Sequence, residues 1–269
     1  FYPANYHSFH AQSIPRSGWK SRLTAWRDFS VATNKGFSGK LVDRFLPARL
    51  DLRSLGSVPL RRETRILDVG CGSGLLPRFL HRAGFHDVSG IDPFLSGDIE
   101  ILPNIFVRKL ALDQVQEKYD LIMLHHVFEH VESGAETLQL ARQRLSPRGK
   151  ILLRFPTVDS EAWETYRENW VQLDAPRHLF LHSRKSFEIL AKKAGLKVEK
   201  WFCDSTTLQF WGSELYQKKQ PLFNREGIAT QPENHFSAQE MKAFAGRTAR
   251  ANTLQRGDQV VVVLSMASS

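Results

Sequence analysis

From position 65 onward, hydrophobic positions alternate between two rhythms: short unbroken apolar runs, and longer stretches in which apolar side chains recur every three or four residues. The first rhythm marks strands buried on both faces and the second marks amphipathic helices, so their alternation predicts parallel strands joined by crossover helices. The predicted strands are Arg65–Val69, Asp87–Ile91, Ile105–Val107, Tyr119–Leu124, Lys150–Phe155, Leu196–Phe202 and Gln259–Ser265. Helices are predicted over Leu75–Ala83, Ala135–Leu145 and Ser186–Ala194, the second closed by the turn Ser146-Pro147-Arg148-Gly149. Residues 1–60 read differently, aromatic and basic, with amphipathic helices over Trp19–Phe29 and Gly39–Leu50. The expected organisation is an N-terminal helical and aromatic cap over 1–60 and an α/β domain over 61–269. Less regular insertions are expected at about 157–183 and 205–256.

Composition narrows the class. Of 269 residues, 42% are hydrophobic, enough for a buried core. The longest apolar run near either end is Val260 to Leu264, far short of the ~20 residues that cross a bilayer, so no transmembrane segment is expected. The opening Phe1-Tyr2-Pro3-Ala4-Asn5-Tyr6-His7 lacks the basic start and apolar centre of a secretion signal, which predicts a cytoplasmic protein. Two cysteines, Cys71 and Cys203, are too few for a disulfide framework or a cysteine metal site. The formal charge of +9 is compatible with nucleic acid, an anionic membrane face or a phosphorylated substrate, and equally with dispersed surface solvation.

The sharpest local signal is Ile66-Leu67-Asp68-Val69-Gly70-Cys71-Gly72-Ser73-Gly74, a strand running into alternating glycines with a helix directly after. Glycines there permit positive φ and close approach of a ligand to backbone amides. The second strand ends in Gly90-Ile91-Asp92, where a carboxylate can accept hydrogen bonds from both hydroxyls of a ribose. A dinucleotide site wants a glycine where Leu75 stands, and a phosphate loop wants a Gly-Lys-Ser/Thr that is absent, so both are disfavoured.

Asp68-Val69-Gly70-Cys71-Gly72-Ser73-Gly74 resembles the first motif of class I S-adenosylmethionine-dependent methyltransferases. Tyr119-Asp120-Leu121-Ile122-Met123-Leu124 with His125-His126-Val127-Phe128-Glu129-His130-Val131 resembles the fourth-strand motif of the branch that holds quinone-pathway O-methyltransferases. Leu145-Ser146-Pro147-Arg148-Gly149-Lys150-Ile151-Leu152-Leu153 resembles the turn and fifth strand of the same fold. The resemblance implies a Rossmann-like, doubly wound seven-stranded sheet with its last strand, Gln259–Ser265, antiparallel. It implies S-adenosyl-L-methionine as cofactor and S-adenosyl-L-homocysteine as product. By analogy Asp68, Gly70, Gly72 and Gly74 surround the methionine portion, Asp92 the ribose, and His125 the approach to the sulfonium, with Cys71 and Pro93 also expected among the cofactor-binding residues. Where many relatives carry an acid for the adenine amine, this chain has Lys109-Leu110-Ala111-Leu112, so contacts there are expected to be apolar or backbone, with Leu112 among them.

On the acceptor side the candidate bases are His126, His130 and His178, the last within Trp170-Val171-Gln172-Leu173-Asp174-Ala175-Pro176-Arg177-His178-Leu179-Phe180. That segment resembles one in bacterial methyltransferases linked to surface-polysaccharide genes, as does the N-terminal Tyr2-Pro3-Ala4-Asn5-Tyr6 with His7 and His10. Arg177 offers a bidentate contact to phosphate or carboxylate. Competing readings stay open: Glu129 and His130 as caps of the next helix, Pro176-Arg177-His178 as a turn, and the aromatic start as a packed lid. His126-Val127-Phe128-Glu129-His130 also matches an inverted zinc-protease spacing, disfavoured because it follows a buried strand and a turn. The quinone-pathway relatives carry Glu-x-x-Glu-His here, which implies a divalent ion; His126 breaks that pattern, and no metal ligand is assigned. The expected activity is methyl transfer to a hydroxyl of a saccharide, glycolipid or other small acceptor, phosphorylated and nucleotide-linked ones included, with nucleic acid disfavoured. The alternatives are an RNA or protein methyltransferase, supported by charge alone, and a non-catalytic cofactor-binding scaffold.

Overall fold

Apolar runs in the middle of the chain form the centre of one sheet because their side chains are buried on both faces, the condition that parallel strands covered by helices impose. In the computed structural model, which describes residues 18–103, 105–224 and 227–267, the strands are β1 (Arg65–Val69), β2 (Asp87–Ile91), β3 (Ile99–Leu102), β4 (Ile105–Arg108), β5 (Tyr119–His125), β6 (Leu145–Pro156), β7 (Leu196–Cys203) and β8 (Gln259–Met266). They lie in the order β3-β4-β2-β1-β5-β6-β8-β7. The five strands from β4 to β6 run parallel, and β8 is antiparallel to both its neighbours. The strand order reverses between β1 and β5, so the carboxyl ends of those two strands flank the crevice where such sheets bind ligands.

Helices cover both faces. On one face, α5 (Gly134–Gln143) and α7 (Arg184–Lys193) bury Leu138, Ala141, Phe187 and Ala191 against Leu67, Ile122, Leu153 and Val262. On the other, α1 (Trp19–Thr33), α3 (Leu50–Leu55) and α4 (Leu75–Ala83) bury Ala32, Leu52, Leu55 and Leu80 against Ile66, Leu121, Leu152 and Val263. Neighbouring positions of one strand, such as Ile66 and Leu67, thus serve opposite cores, as the two-residue period of a strand requires. Among the described residues, no helix is long and apolar enough to cross a membrane.

The structure corrects the sequence reading in four places. The sheet has an eighth strand: β3 folds back antiparallel on β4 and places Ile99 and Ile101 with Leu95 and Val107 over Cys71. The single helix predicted over Gly39–Leu50 is two, α2 (Phe37–Phe45) and α3, because Pro47 has no amide to donate and disfavours helical backbone before it. The helix predicted to reach Leu145 stops at Gln143, and Leu145 already pairs with Tyr119, so β6 starts ahead of the turn. Residues 205–256 are not irregular: they hold α8 (Leu208–Gln217) and α9 (Ala238–Thr253). A reciprocal box caps α9, with Ser237 Oγ accepting from the Glu240 amide while Glu240 accepts from the Ser237 amide. A further helix, α6 (Glu161–Tyr166), lies in the segment after β6.

One aromatic cluster bears directly on function. Phe155, near the end of β6, packs against Phe128 at 5.6 Å, Phe187 at 5.0 Å and Trp201 at 5.9 Å between ring centroids. Phe128 is fully buried and belongs to the single 3-10 turn Phe128–His130, so the cluster fixes where Glu129 and His130 stand. Phe155→Ala is expected to cost about 3–5 kcal/mol of unfolding free energy, seen as a lowered urea midpoint at unchanged slope. A loss below about 1 kcal/mol, too small for a packed core ring, would contradict this role.

Candidate active site

The glycine bend after β1 is tied to the end of β2 by backbone bonds. The amides of Gly70 and Cys71 both donate to the Ile91 carbonyl, at 2.8 and 3.1 Å. Gly70 has φ +71°, and a Cβ there would stand 2.4 Å from Cγ2 of Val127. Gly74 has φ +79°, and its Cβ would collide with Val107 and Ile101 at 2.7 and 2.8 Å. Each position thus excludes a side chain twice over, by conformation and by space. Asp92 closes the bend: Oδ2 accepts from the Gly72 amide at 3.0 Å and Oδ1 from the Phe94 amide at 2.9 Å. With each oxygen taking one amide, the 6% exposed carboxylate is fixed in direction and keeps a further lone pair on each oxygen.

A cleft of about 620 Å3 opens at this point, along the carboxyl ends of β1, β2 and β5. Of the residues singled out from the sequence, Asp68, Gly70, Cys71, Asp92, Pro93, Leu112, His125, His126 and His130 line it. Gly72 and Gly74 do not; Gly72 holds Asp92 and Gly74 begins α4. Residues that sequence reasoning missed line it too: Arg49 and Asp51 at the start of α3, Ser73, Phe94 and Thr137. Only the ion-pair spacing of Arg49 and Asp51, two positions apart, hinted at them. The aromatic segment containing Tyr2, Tyr6, His7 and His10 lies outside the described residues.

The cleft is acidic although the chain is basic. Burial, with Asp51 and Asp92 nearby, pushes the Asp68 carboxyl well above its ordinary value. Burial works on Asp51 in the same direction, but the Arg49 guanidinium outweighs it and holds that carboxyl low. Asp51, Asp68 and Asp92, close together in this crevice, disfavour one another's charge and favour a cationic guest. His125, at the end of β5, has two inaccessible ring nitrogens with no hydrogen-bond partner among the described residues. Burial lowers its pKa to about 3, so the ring is neutral and adds no positive charge. Burial likewise keeps the Cys71 thiol protonated.

Beyond β5 the backbone turns sharply at His126, φ +54°. His126 Nε2 faces Nη1 of Arg154 at 3.1 Å, and Arg154 is itself held by Asp204 at 2.7 Å. Since a guanidinium only donates, that ring nitrogen is an acceptor already in use, and Nδ1 carries the proton. His126 Nδ1 lies 3.4 Å from Oε1 of the buried Glu129. His126 and His130 therefore do not share a helix face, which removes the zinc-protease reading, and the next helix is capped by Ser133 rather than by Glu129 or His130. His178 is absent from the cleft lining, yet its ring stands 4.8 Å from that of His130. Glu129, His130 and His178 each bring one ligand atom within 4.8 Å of the others, a spacing open to a metal ion. Arg177, expected to face an anionic acceptor, pairs instead with Asp174.

The profile of a family described as "Methyltransferase domain" matches residues 35–200. Similar proteins include the mitochondrial ubiquinone biosynthesis O-methyltransferase of Saccharomyces cerevisiae, 30% identical over 171 residues, 56% of this chain and 50% of that one. The ubiquinone biosynthesis O-methyltransferase of Aeromonas salmonicida is 29% identical over 33% of this chain and 42% of its own. The tRNA U34 carboxymethyltransferase of Ruthia magnifica is 28% identical over 36% and 34%. The chain spans half or less of the length of each of these relatives. A chain from the Haloferax volcanii complex of the Trm112 methyltransferase activator with a methyltransferase shares the fold, with a TM-score of 0.51 at 14% identity, over 95% of this chain and 100% of that one. The chain belongs to the methyltransferase domain family, in the class I S-adenosylmethionine-dependent group.

Proposed function

We propose that the protein transfers the methyl group of S-adenosyl-L-methionine to a hydroxyl of a saccharide, glycolipid or other small acceptor. The observation that carries this reading is the closed glycine bend, with Asp92 held by the Gly72 and Phe94 amides at the mouth of an acidic cleft. Such a carboxylate suits the two ribose hydroxyls, and the glycine positions leave backbone open where the ligand must approach. Asp51 and Asp68 suit a cation, and the cofactor carries two, an ammonium and a sulfonium. Arg49 beside them suits its carboxylate. Pro93, Phe94 and Leu112 offer the apolar wall for the base. Bound there, the cofactor supplies an activated methyl group whose departure leaves a neutral thioether.

The chain's residues align and deprotonate. Neutral His125 keeps the region of the sulfonium free of opposing charge. His126, committed to Arg154, acts on Glu129 rather than on the acceptor. His130 and His178 stand beyond it, on the acceptor side. Nδ1 of each faces a backbone carbonyl, Arg177 O at 2.9 Å and Gln172 O at 2.7 Å, so each is protonated there and carries its lone pair on Nε2. Burial lowers the His178 pKa, which keeps that ring neutral and able to take up the proton of an attacking hydroxyl. The N-terminal segment, described from residue 18 to 60, acts as a cap that brings Arg49 and Asp51 to the α/β domain, and the insertions at 157–183 and 205–256 shape the acceptor side. O-methylation is supported by the names of the ubiquinone-pathway relatives. The saccharide acceptor rests on the resemblance of the segment around His178.

Calorimetry with S-adenosyl-L-homocysteine is expected to show saturable binding to one site per chain, abolished by Gly72→Arg. Asp92→Asn, which turns an amide N–H2 toward the Gly72 or Phe94 amide, is expected to weaken it about 10–100-fold, or about 1.4–2.7 kcal/mol. Equal affinity in the Asp92→Asn variant would contradict the ribose assignment. With methyl-labelled cofactor and fractionated cell extract, label is expected in polysaccharide or lipid. Label in RNA or protein would overturn the acceptor class, and none in any fraction would favour a non-catalytic scaffold.

A further inference from the structure

Away from the cleft, the acceptor wall hangs on one buried acid. Asp258, the residue before β8, is 2% exposed. Its Oδ2 accepts from the indole Nε1 of Trp170 at 3.1 Å, and Trp170 is itself fully buried. The Asp258 backbone is held as firmly, its amide donating to Oε1 of Gln209 on α8 at 3.2 Å and its carbonyl accepting from the Thr157 amide at 2.8 Å. The partner segments are also joined to each other, because the Val171 amide donates to Ser213 Oγ of α8 at 3.0 Å. The end of β6, the loop after α6, α8 and the start of β8 therefore meet at one residue.

From Trp170 the chain runs straight into the acceptor side. The Leu173 amide donates to the Trp170 carbonyl at 3.0 Å, and the Arg177 amide donates to the Asp174 carbonyl at 2.9 Å. His178 turns back on this loop: its Nδ1 faces the Gln172 carbonyl at 2.7 Å, and since a carbonyl only accepts, Nδ1 is the donor. The ring is thus aimed by a carbonyl two residues from Trp170, so what fixes Trp170 fixes the direction of Nε2. On its other side Asp258 is followed by Gln259, whose Nε2 donates to Asp204 at 2.8 Å, and Asp204 holds the Arg154 that bonds His126. Two adjacent residues thereby anchor the loop of His178 and the arginine of His126.

We propose that Asp258 is a positioning residue of the acceptor site: by holding the Trp170 indole, its carboxylate sets the loop 170–180 and with it the ring of His178. Its consequence for turnover rests on the methyl-transfer reading above.

Burial pushes the Asp258 carboxyl up to about 6, against the pull of the Trp170 and Ser205 side chains and of His126. The charged and titratable groups around it are His126 from the turn after β5, the Cys203 thiol at the end of β7, and Asp204 with Arg154, joined through Gln259. Arg256, after α9, is paired with Glu164 of α6, and Glu214 of α8 accepts from the Tyr166 hydroxyl. Between the ordinary carboxyl value and about 6 the folded chain binds more protons than the unfolded one, so ionising Asp258 costs stability as pH rises through that window. The ionised form is, however, the stronger acceptor for the indole N–H. Above about pH 6 the chain is thus less stable but holds Trp170 more tightly, the pattern of a group kept for position rather than for folding.

In the 15N-labelled full-length chain, the Trp170 indole N–H signal, assigned with Trp170→Phe, is expected to titrate with a midpoint near 6 and to stay constant in Asp258→Asn. That variant is expected to shift the His178 ring nitrogens away from the Nδ1-protonated form. It is also expected to lower turnover of the labelled extract fraction about 10–100-fold, with affinity for S-adenosyl-L-homocysteine unchanged. A purely structural acid would lose stability on replacement, whereas Asp258→Asn is expected to unfold at a higher urea concentration near neutral pH, an advantage that shrinks towards about pH 5. A Trp170 signal that does not titrate, His178 signals unchanged in Asp258→Asn, or stability and cofactor affinity lost together overturns the proposal. Should Asp258→Asn fail to fold, Trp170→Phe reads the same coupling from the donor's side: displaced His178 signals support it and unchanged ones overturn it. These spectra need no acceptor, so label in no extract fraction overturns the methyl-transfer reading alone, and unchanged His178 signals overturn the positioning alone.

Discussion

The site is organised by one closed circuit of backbone amides. Gly70 and Cys71 donate to the carbonyl of Ile91, which ends β2, and the next residue, Asp92, receives the Gly72 and Phe94 amides on its two carboxylate oxygens. This circuit couples the two strands at their carboxyl ends, so the direction of the Asp92 side chain and the shape of the bend cannot vary independently. Everything placed around the cleft, from the α3 carboxylate to the end of β5, takes its position from this frame and from the parallel pairing of β2, β1 and β5. The positive φ at Gly70 and the clash a Cβ would make with Val127 show that the frame also sets the distance to the turn after β5.

A second constraint acts on the opposite wall. The aromatic cluster of Phe128, Phe155, Phe187 and Trp201 leaves the turn carrying Glu129 and His130 with little freedom. Arg154, Asp204 and Gln259 then fix His126 from beneath, Gln259 Nε2 donating to Asp204 at 2.8 Å. The acidic cleft and the histidine cluster are thus two rigid walls of different chemistry facing one crevice. One suits a cationic ligand. The other carries the buried Glu129 carboxylate with the His130 and His178 rings beside it.

How much of this was legible in the sequence follows from the range of each interaction. The strands β1 and β5 and the glycine bend were readable because burial on both faces writes itself as apolar runs, and because tight bends restrict residue type locally. Asp92 was readable as the carboxylate directly after the predicted strand Asp87–Ile91. The strand β3 was not, being four residues long, half exposed and stabilised mainly by its partner β4. Helices α8 and α9 were hidden by weakly patterned sequence, although the Ser237 and Glu240 capping pair was there to be noticed. Least legible were contacts between distant segments. Nothing local brings Asp51 to Asp68, or His178 to His130, and nothing in His-x-x-Glu-His shows that its first histidine belongs to an arginine on the neighbouring strand.

The most direct measurement of the central claim is a crystal structure of the chain with S-adenosyl-L-homocysteine bound. The expected result has both ribose hydroxyls on the Asp92 carboxylate, the amino-acid end beside Arg49, Asp51 and Asp68, and the thioether sulfur near His125. Ligand density away from the bend at residues 70–74, or an Asp92 carboxylate turned away from the ribose, would contradict the account.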